Sequence, residues 1–560
     1  MMALGFGKGV AIFGASIGIF FFILSSSAEK APYESFAKNA MLAPAINYYD
    51  YIIIGGGTAG CPLSATLSVA AKVLLLERGG LPYDNPNVTN AKNYPKVVKD
   101  TSASQMFVST DGVFNHRGRV LGGCSAINSG FYTHASCEYV REAGWDPQLV
   151  NESYEWVDRK VAFRPWLLPW QAAVRDGLLE SGVSPDNGFT YDHLQGTKIG
   201  GTTFDENGVR HSAADLLEYA HPANITIYLH GLVHQILFRT QSGQRPKAYG
   251  VVFKDSEGKT HEAYLNSGPT NEIIVSAGAV GSPQLLMLSG IGPAQTLRAL
   301  GISIVLDQPM VGQGMADNPR NNLIIPLRKP IDRSLVQVAG ISDNVGNYIE
   351  TYSGYIEAYS LQQYANATNQ SMEWLTIPSK QSINESEAGV LLEKIMGPLS
   401  TGHMELQSMD PNENPKVTFN YFKDPKDLER CVEGMEMIKK VVESAAISEL
   451  GRHNTSFEAL MELMLSLPIN MRKKHPNATH SLEQFCMDTV VTIWHYHGGC
   501  HVDRVIDRDH KVIGVDALRV VDGSTFYDSP GANPQATVMM LGRYMGYKIL
   551  QQRNSEKESN

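Results

Sequence analysis

The chain has 560 residues, of which 43% are apolar and 19% charged, and a net charge of −10. That length exceeds what one hydrophobic core fills, so two domains are expected, and the composition excludes a disordered protein. The acidic balance, with no basic stripe, argues against a nucleic-acid partner.

Lys8 precedes an uncharged stretch whose apolar heart runs from Val10 to Leu24 and ends at Ser26-Ser27-Ala28. About 15 apolar residues fall short of the ~20 that span a bilayer, so residues 1–28 read as a secretory signal peptide rather than an anchor. After its cleavage no stable membrane insertion is expected. In a secreted chain the eight sequons at Asn87, Asn151, Asn224, Asn366, Asn369, Asn384, Asn454 and Asn477 become candidate N-glycan sites, each of which must be at the surface. Residues 29–45 read as a linker or arm.

Residues 50–60 read Asp-Tyr-Ile-Ile-Ile-Gly-Gly-Gly-Thr-Ala-Gly. An apolar strand therefore runs into G-x-G-x-x-G (Gly55, Gly57, Gly60), and a helix can open at Cys61. A second strand, Val73 to Leu76, ends at Glu77, 22 residues after Gly55. This is the context a dinucleotide fingerprint requires. Gly55 permits the tight turn, Gly57 admits the pyrophosphate and Gly60 lets helix and strand approach. The helix start offers N–H groups and a positive dipole end to phosphate, and Glu77 can accept from a ribose hydroxyl.

Residues 81–116 read as irregular. Arg117-Gly-Arg-Val-Leu-Gly-Gly-Cys-Ser-Ala-Ile-Asn-Ser-Gly130 is a second glycine-rich motif, whose glycines let backbone approach a flat or charged ligand. Residues 151–224 look helical and Trp-rich. Strands are expected at Ile225 to Leu229, Ala248 to Lys254 and Glu272 to Ala277, with a hairpin-like link near 255–260. In Ser276 to Pro293 a strand gives way to an apolar helix starting at Pro283. Residues 311–489 are mixed, with a helix from Asp427 to Ser444. Motif-like sequence returns in Trp494-His-Tyr-His-Gly-Gly-Cys500, Leu518 to Ser524 and Asn533-Pro-Gln-Ala-Thr-Val538, followed by a helix to about Gln551 and a frayed polar tail. Cofactor-type motifs at both ends and in the middle indicate a discontinuous cofactor domain. Six cysteines are too few to build the fold. Cys61, Cys124 and Cys500 read as small buried side chains. Cys431 and Cys486 could pair in an oxidising compartment. No two cysteines are two to four residues apart, so no metal site is expected.

Five motifs in order resemble those of the glucose–methanol–choline oxidoreductases, over nearly all of residues 46–552: Gly55–Gly60 with Glu77, Arg117–Gly130, Ser276–Pro293, His495–Gly499, and Asp522-Gly523 with Asn533–Thr537. Trp494-His-Tyr-His-Gly-Gly and Asp317-Asn-Pro-Arg320 resemble the plant branch, which holds FAD-containing (R)-mandelonitrile lyases and HOTHEAD-type proteins thought to act on alcohols. The resemblance implies an α/β fold: a Rossmann-like FAD-binding domain (46–150, 225–310, 490–553) and a discontinuous substrate domain of antiparallel sheet plus helices (151–224, 311–489). It implies that Gly55, Gly57, Thr58, Ala59, Gly60 and Glu77 hold the ADP half, and that Val233 meets adenine through its backbone. Arg119, Val120, Gly122, Gly123, Asn128, Ser129 and Gly130 would follow the pyrophosphate and isoalloxazine. Asp522 and Gly523 would clamp the pyrophosphate, with Trp494, His495, Asn533, Pro534, Gln535 and Thr537 near the flavin ring. FAD is expected without a covalent link, because Ile127 stands where the family's attaching histidine would be. The resemblance also implies a Cys431–Cys486 disulfide.

His495 matches the family's active-site base, and a histidine suits that task because its ordinary pKa is near the operating pH. His497 reads as a packing or supporting residue. Many members carry a His–His pair, but here Asn533 holds the second place and can only orient a hydroxyl. Whole-chain resemblance favours cleavage of a cyanohydrin to aldehyde and HCN, with Arg320 supplying a positive field. The alternative is FAD-dependent alcohol oxidation by the His–Asn pair. Two departures weigh against the lyase: the missing second histidine, and Ile493 where the lyases carry tyrosine. A third reading is a flavin-binding structural protein. Residues 330–400 are expected to line the substrate pocket. The product is expected to be a monomeric, N-glycosylated protein of the secretory pathway, extracellular (apoplastic) or vacuolar, with a small-molecule cyanohydrin or alcohol as substrate.

Overall fold

The computed structural model describes residues 35–559 except Pro95, 343–345, 355–387, 452–455 and Ala532. The expected signal peptide, part of the 330–400 segment, and Asn366, Asn369, Asn384 and Asn454 are outside the described residues. Among the described residues no helix is long and apolar enough to cross a membrane.

One sheet has six parallel strands, in the order Ala37–Asn39, Ile225–Leu229, Val73–Glu77, Tyr51–Ile54, Glu272–Val275, Leu518–Val520. Its central strands, Tyr51–Ile54 and Val73–Glu77, are buried along their whole length, which is why both read as unbroken apolar runs. The arm expected at 29–45 thus contributes an edge strand, Ala37–Asn39. It pairs with a strand nearly 190 residues away in sequence, a pairing that local pattern does not encode. The helix Gly60–Ser68 is wholly buried between this sheet and the final helix, Gln535–Ser559. Glycines make that approach possible: a Cβ on Gly542 would be 2.3 Å from the Ala59 carbonyl oxygen.

The final helix passes through the expected polar tail to Ser559. Arg553 anchors it, donating to Asn271 at 2.8 Å and pairing with Asp50 at 3.3 Å. The helix expected at Pro283 starts instead at Gly278. Its start is set from a distance, because the Asp522 carboxylate accepts from the Gly278 N–H at 2.9 Å and from the Ser282 hydroxyl. The stretch 81–116 is less irregular than expected and contains the hairpin Ser104–Val108/Phe114–Gly118.

A seven-stranded sheet runs Val491–Thr492, Pro319–Pro326, Ala388–Ile395, Asn347–Ser353, Val338–Ile341, Gly196–Ile199, Asp186–Phe189, antiparallel except for the last pair. Helices Pro169–Glu180 and Pro425–Glu443 pack on one face. Trp170 there donates to the Thr351 hydroxyl at 2.6 Å and occupies the space a side chain at Gly389 would need. By strand alternation Tyr348, Glu350 and Tyr352 belong to the other face. Residues 151–224 do not all keep to this sheet. The helix Pro147–Val161 packs on the final helix, where the hydroxyls of Tyr154 and Thr537 are 2.9 Å apart.

Cys431 and Cys486 are bonded, joining helices Pro425–Glu443 and Leu482–Thr489 with Cα atoms 6.3 Å apart. Closing a loop of this size should contribute roughly 4 kcal/mol in the loop-entropy model. Thermal unfolding of the Cys431→Ala/Cys486→Ala protein should show a Tm lower by several degrees. An unchanged Tm, or two free thiols by peptide mapping of the purified protein, would contradict a structural role.

Candidate active site

A large cavity opens where the parallel strands end. Ile54, Leu76–Arg78, Ser276 and Asp522 line it at the carboxyl ends of four strands, the place where open α/β sheets bind ligands. The opposite wall comes from the seven-stranded sheet, through Arg320, Glu350, Tyr352 and Leu392.

Most of the expected cofactor residues meet here: Gly55, Gly57, Thr58, Ala59, Glu77, Gly123, Asn128, Ser129, Gly130, Val233, Trp494, His495, Asp522, Gly523, Asn533, Pro534 and Gln535 all line the cavity. Gly55 turns with φ +104°, and a Cβ there would be 2.4 Å from the Ser276 carbonyl oxygen. Gly123 closes on Gly57, where a Cβ would approach the Gly57 Cα to 2.7 Å. Gly278 and Gly523 would meet nothing within 4 Å, so both leave bare backbone beside the cavity. The Glu77 carboxylate accepts from the N–H groups of Gly56 (2.9 Å) and Gly79 (2.7 Å), and each oxygen keeps a lone pair for a ribose hydroxyl. A cradle of close-packed glycines, a helix start at Gly60 and a buried acid together fit a dinucleotide.

Gly60, Arg119, Val120, Gly122, Thr537 and His497 are outside the lining. Gly60 packs on the Gly55 carbonyl, as its close-packing role requires, and Gly122 packs on Ser212. Val120 is buried and Arg119 is exposed. Thr537 is engaged with Tyr154. The His497 ring is folded onto its own chain, with Nδ1 2.9 Å from the His495 carbonyl oxygen. Cys61 and Cys500 are buried as expected, but Cys124 is exposed on the cavity wall.

His495 sits at the cavity on a tight turn. Trp494 has φ 60°, and Gly498 and Gly499 have φ 87° and 95°. The turn is pinned by Asp317, whose Oδ1 accepts from the His495 N–H at 3.0 Å while Oδ2 accepts from Tyr421. Burial raises the Asp317 pKa to about 6 against the hydrogen bonds from Thr492, Tyr421 and His495 and the charge of Arg320. His495 Nδ1 is 3.2 Å from the Tyr348 hydroxyl. In the tautomer whose Nδ1–H donates to Tyr348, Nε2 is the basic nitrogen. Burial, with help from Lys394, His497 and Arg320, holds the His495 pKa well below the ordinary histidine range, so the ring is neutral at pH 7. The Arg320 guanidinium is 5.7 Å from the centre of the Trp494 ring. Asn533 is buried at the cavity, and its Oδ1 has no hydrogen-bond donor among the described residues.

Sequence reasoning missed Tyr348, Glu350 and Lys394, which reach the site only through strand register: Lys394 pairs with Tyr348 on one side and Arg320 on the other. Asp317 was visible in the Asp-Asn-Pro-Arg motif, but its hold on the His495 backbone was not.

Fold and site thus define a two-part flavoenzyme, with a nucleotide cradle on a parallel sheet and a histidine beside an antiparallel one. GMC oxidoreductase models match residues 49–320 and 398–542, and the chain belongs to that family. FAD is the cofactor. Protein HOTHEAD of Arabidopsis thaliana is 50% identical over 533 residues (91% of this chain, 89% of the relative). An (R)-mandelonitrile lyase-like protein of the same plant is 47% identical, with 92% of each chain covered. The sinalpyl alcohol oxidase Nec3 of Nesocodon mauritianus is 41% identical (91% and 90%). The crystal structure of a formate oxidase superposes with a TM-score of 0.74 at 18% identity, covering 92% of this chain and all of that one.

Ile127 and His116 both border the cavity, but His116 Nδ1 is taken up 3.1 Å from the Ser104 hydroxyl, and His134, stacked on Tyr154 with centroids 3.9 Å apart, is outside the lining. FAD should therefore leave with the supernatant on acid precipitation. Yellow colour in the washed pellet would show a covalent link.

Proposed function

We propose that this protein oxidises the carbinol of a small alcohol to a carbonyl. The observation that carries the proposal is the pair at the reacting centre: one neutral histidine, His495, and an amide, Asn533, whose acceptor is unmet among the described residues. FAD, when bound, supplies the hydride acceptor. His495 Nε2 takes the hydroxyl proton, and Tyr348 holds the ring in the tautomer that can do so. Asn533 holds the carbinol oxygen and so turns the C–H toward the cofactor. Arg320, on the cavity wall, stabilises the alkoxide as its proton leaves.

Whole-chain resemblance favours a lyase, and one feature of the site supports that as a second reading. The cation Arg320 lines the cavity, acts on His495 and would also steady a departing cyanide. Anaerobic mixing with benzyl alcohols and with mandelonitrile separates the two. Bleaching of the flavin means oxidation; cyanide release without bleaching means a lyase.

Because the His495 pKa is depressed, protonation removes the base only at low pH. The flavin reduction rate should stay level from pH 8 down through the ordinary histidine pKa of about 6.5, and fall only well below it. An inactivating limb above that value would contradict a buried, neutral base.

We further assign the protein to the secretory pathway, extracellular or vacuolar, on the apolar N-terminal stretch and the disulfide. Asn151 and Asn477 are exposed and are the favoured glycan sites. Asn87 and Asn224 are half-buried and donate their amide hydrogens to Asp100 and the Ser68 carbonyl. Glycopeptide mapping tests this order, and size exclusion tests the expected monomer.

A further inference from the structure

Glu350 is a carboxylate on the cavity wall that the chemistry above does not use. It is 1% exposed, in the middle of the strand Asn347–Ser353. Its Oε2 is ion-paired with Lys394, itself fully buried. Among the described residues its Oε1 accepts no hydrogen bond. A buried carboxylate oxygen left without a donor costs more than an ordinary unmade hydrogen bond, because the charge has already been taken from water. Strand register places Glu350 two residues from Tyr348, the partner of His495, and opposite Leu392, which also borders the cavity.

We propose that Glu350 is a specificity-determining residue: its Oε1 accepts a hydrogen bond from a second hydroxyl on the substrate, apart from the hydroxyl that reacts. The field around it selects a neutral donor over an ammonium group. Glu350 is already neutralised by Lys394, so a further cation would find no net negative charge there. Leu392, Tyr352 and Val336 on the same wall fit an apolar body between the two hydroxyls. The substrate class is therefore a neutral diol or phenolic alcohol. The inference rests on the alcohol-oxidation reading for turnover but not for binding.

The test compares 4-hydroxybenzyl alcohol with 4-methoxybenzyl alcohol, close in shape and differing in the donor. A hydrogen bond to a charged acceptor predicts a kcat/KM preference of roughly tenfold or more for the phenol. In Glu350→Gln, with FAD content and Tm checked, it should fall to threefold or less, mainly through KM. Glu350→Gln/Lys394→Met, which leaves no lone buried cation, should behave alike and guards against a misfolded single variant. Spectral titration of bound FAD with p-cresol and with 4-methylanisole reads the same preference without turnover. Loss of the p-cresol preference in the variants, with no alcohol oxidised by any protein, would overturn the oxidase reading and uphold this one. A wild-type protein with no preference for the donor, or a preference unchanged in both variants, would overturn it.

Discussion

His495→Ala should lower the rate of flavin reduction by alcohol about 10²- to 10⁴-fold, the usual cost of losing a general base. It should do so with FAD still bound. The cradle of Gly55, Gly57 and Glu77 is on other elements, and the backbone N–H of residue 495 that meets Asp317 survives the substitution. The comparison that isolates proton transfer is Tyr348→Phe. It removes the 3.2 Å partner of Nδ1 but leaves the ring, so a loss smaller than that of His495→Ala is expected. Stopped-flow reduction with FAD content measured in parallel decides the matter. A His495→Ala protein that keeps FAD and reduces it at a wild-type rate would remove His495 from the chemistry. A protein that loses FAD would show that His495 holds the cofactor instead.

The nucleotide half of the site was legible in the sequence because its logic is local. Gly55, Gly57 and Gly60 act within one turn, and Glu77 ends the next strand of the same unit, so spacing alone places them. Asp522 shows the limit of that logic. Its motif was recognised, yet its work is to cap a helix start 244 residues away, which is why the Gly278 start was misplaced at Pro283. The substrate wall was hidden for a similar reason. Tyr348, Glu350 and Lys394 are scattered polar residues in strands buried on both faces, so no apolar–polar alternation marks which face they join. Only the register Tyr348–Lys394–Arg320 brings them beside His495. The misreading of Cys124 is of another kind: a cysteine among glycines reads as packing, and nothing local shows that those glycines border a cavity.

Asn533→His should lower the rate of flavin reduction by alcohol about 10²-fold and create no cyanide release from mandelonitrile. If Asn533 holds the carbinol oxygen, an imidazole there displaces it, and a small misplacement at the reacting centre costs about that much. Asn533 is buried, so the larger ring also tests for crowding; Asn533→Ala, which removes the amide without adding bulk, should lose alcohol turnover to a similar degree. A lyase working on one base predicts the opposite sign. A second histidine would share the proton traffic between the cyanohydrin hydroxyl and the departing cyanide, and cyanide release would rise above that of the parent protein. The two assays on the same three proteins therefore separate the reactions by direction as well as by size. Rates unchanged in both assays for both variants would place Asn533 away from the reacting centre and remove the observation on which the oxidase reading stands.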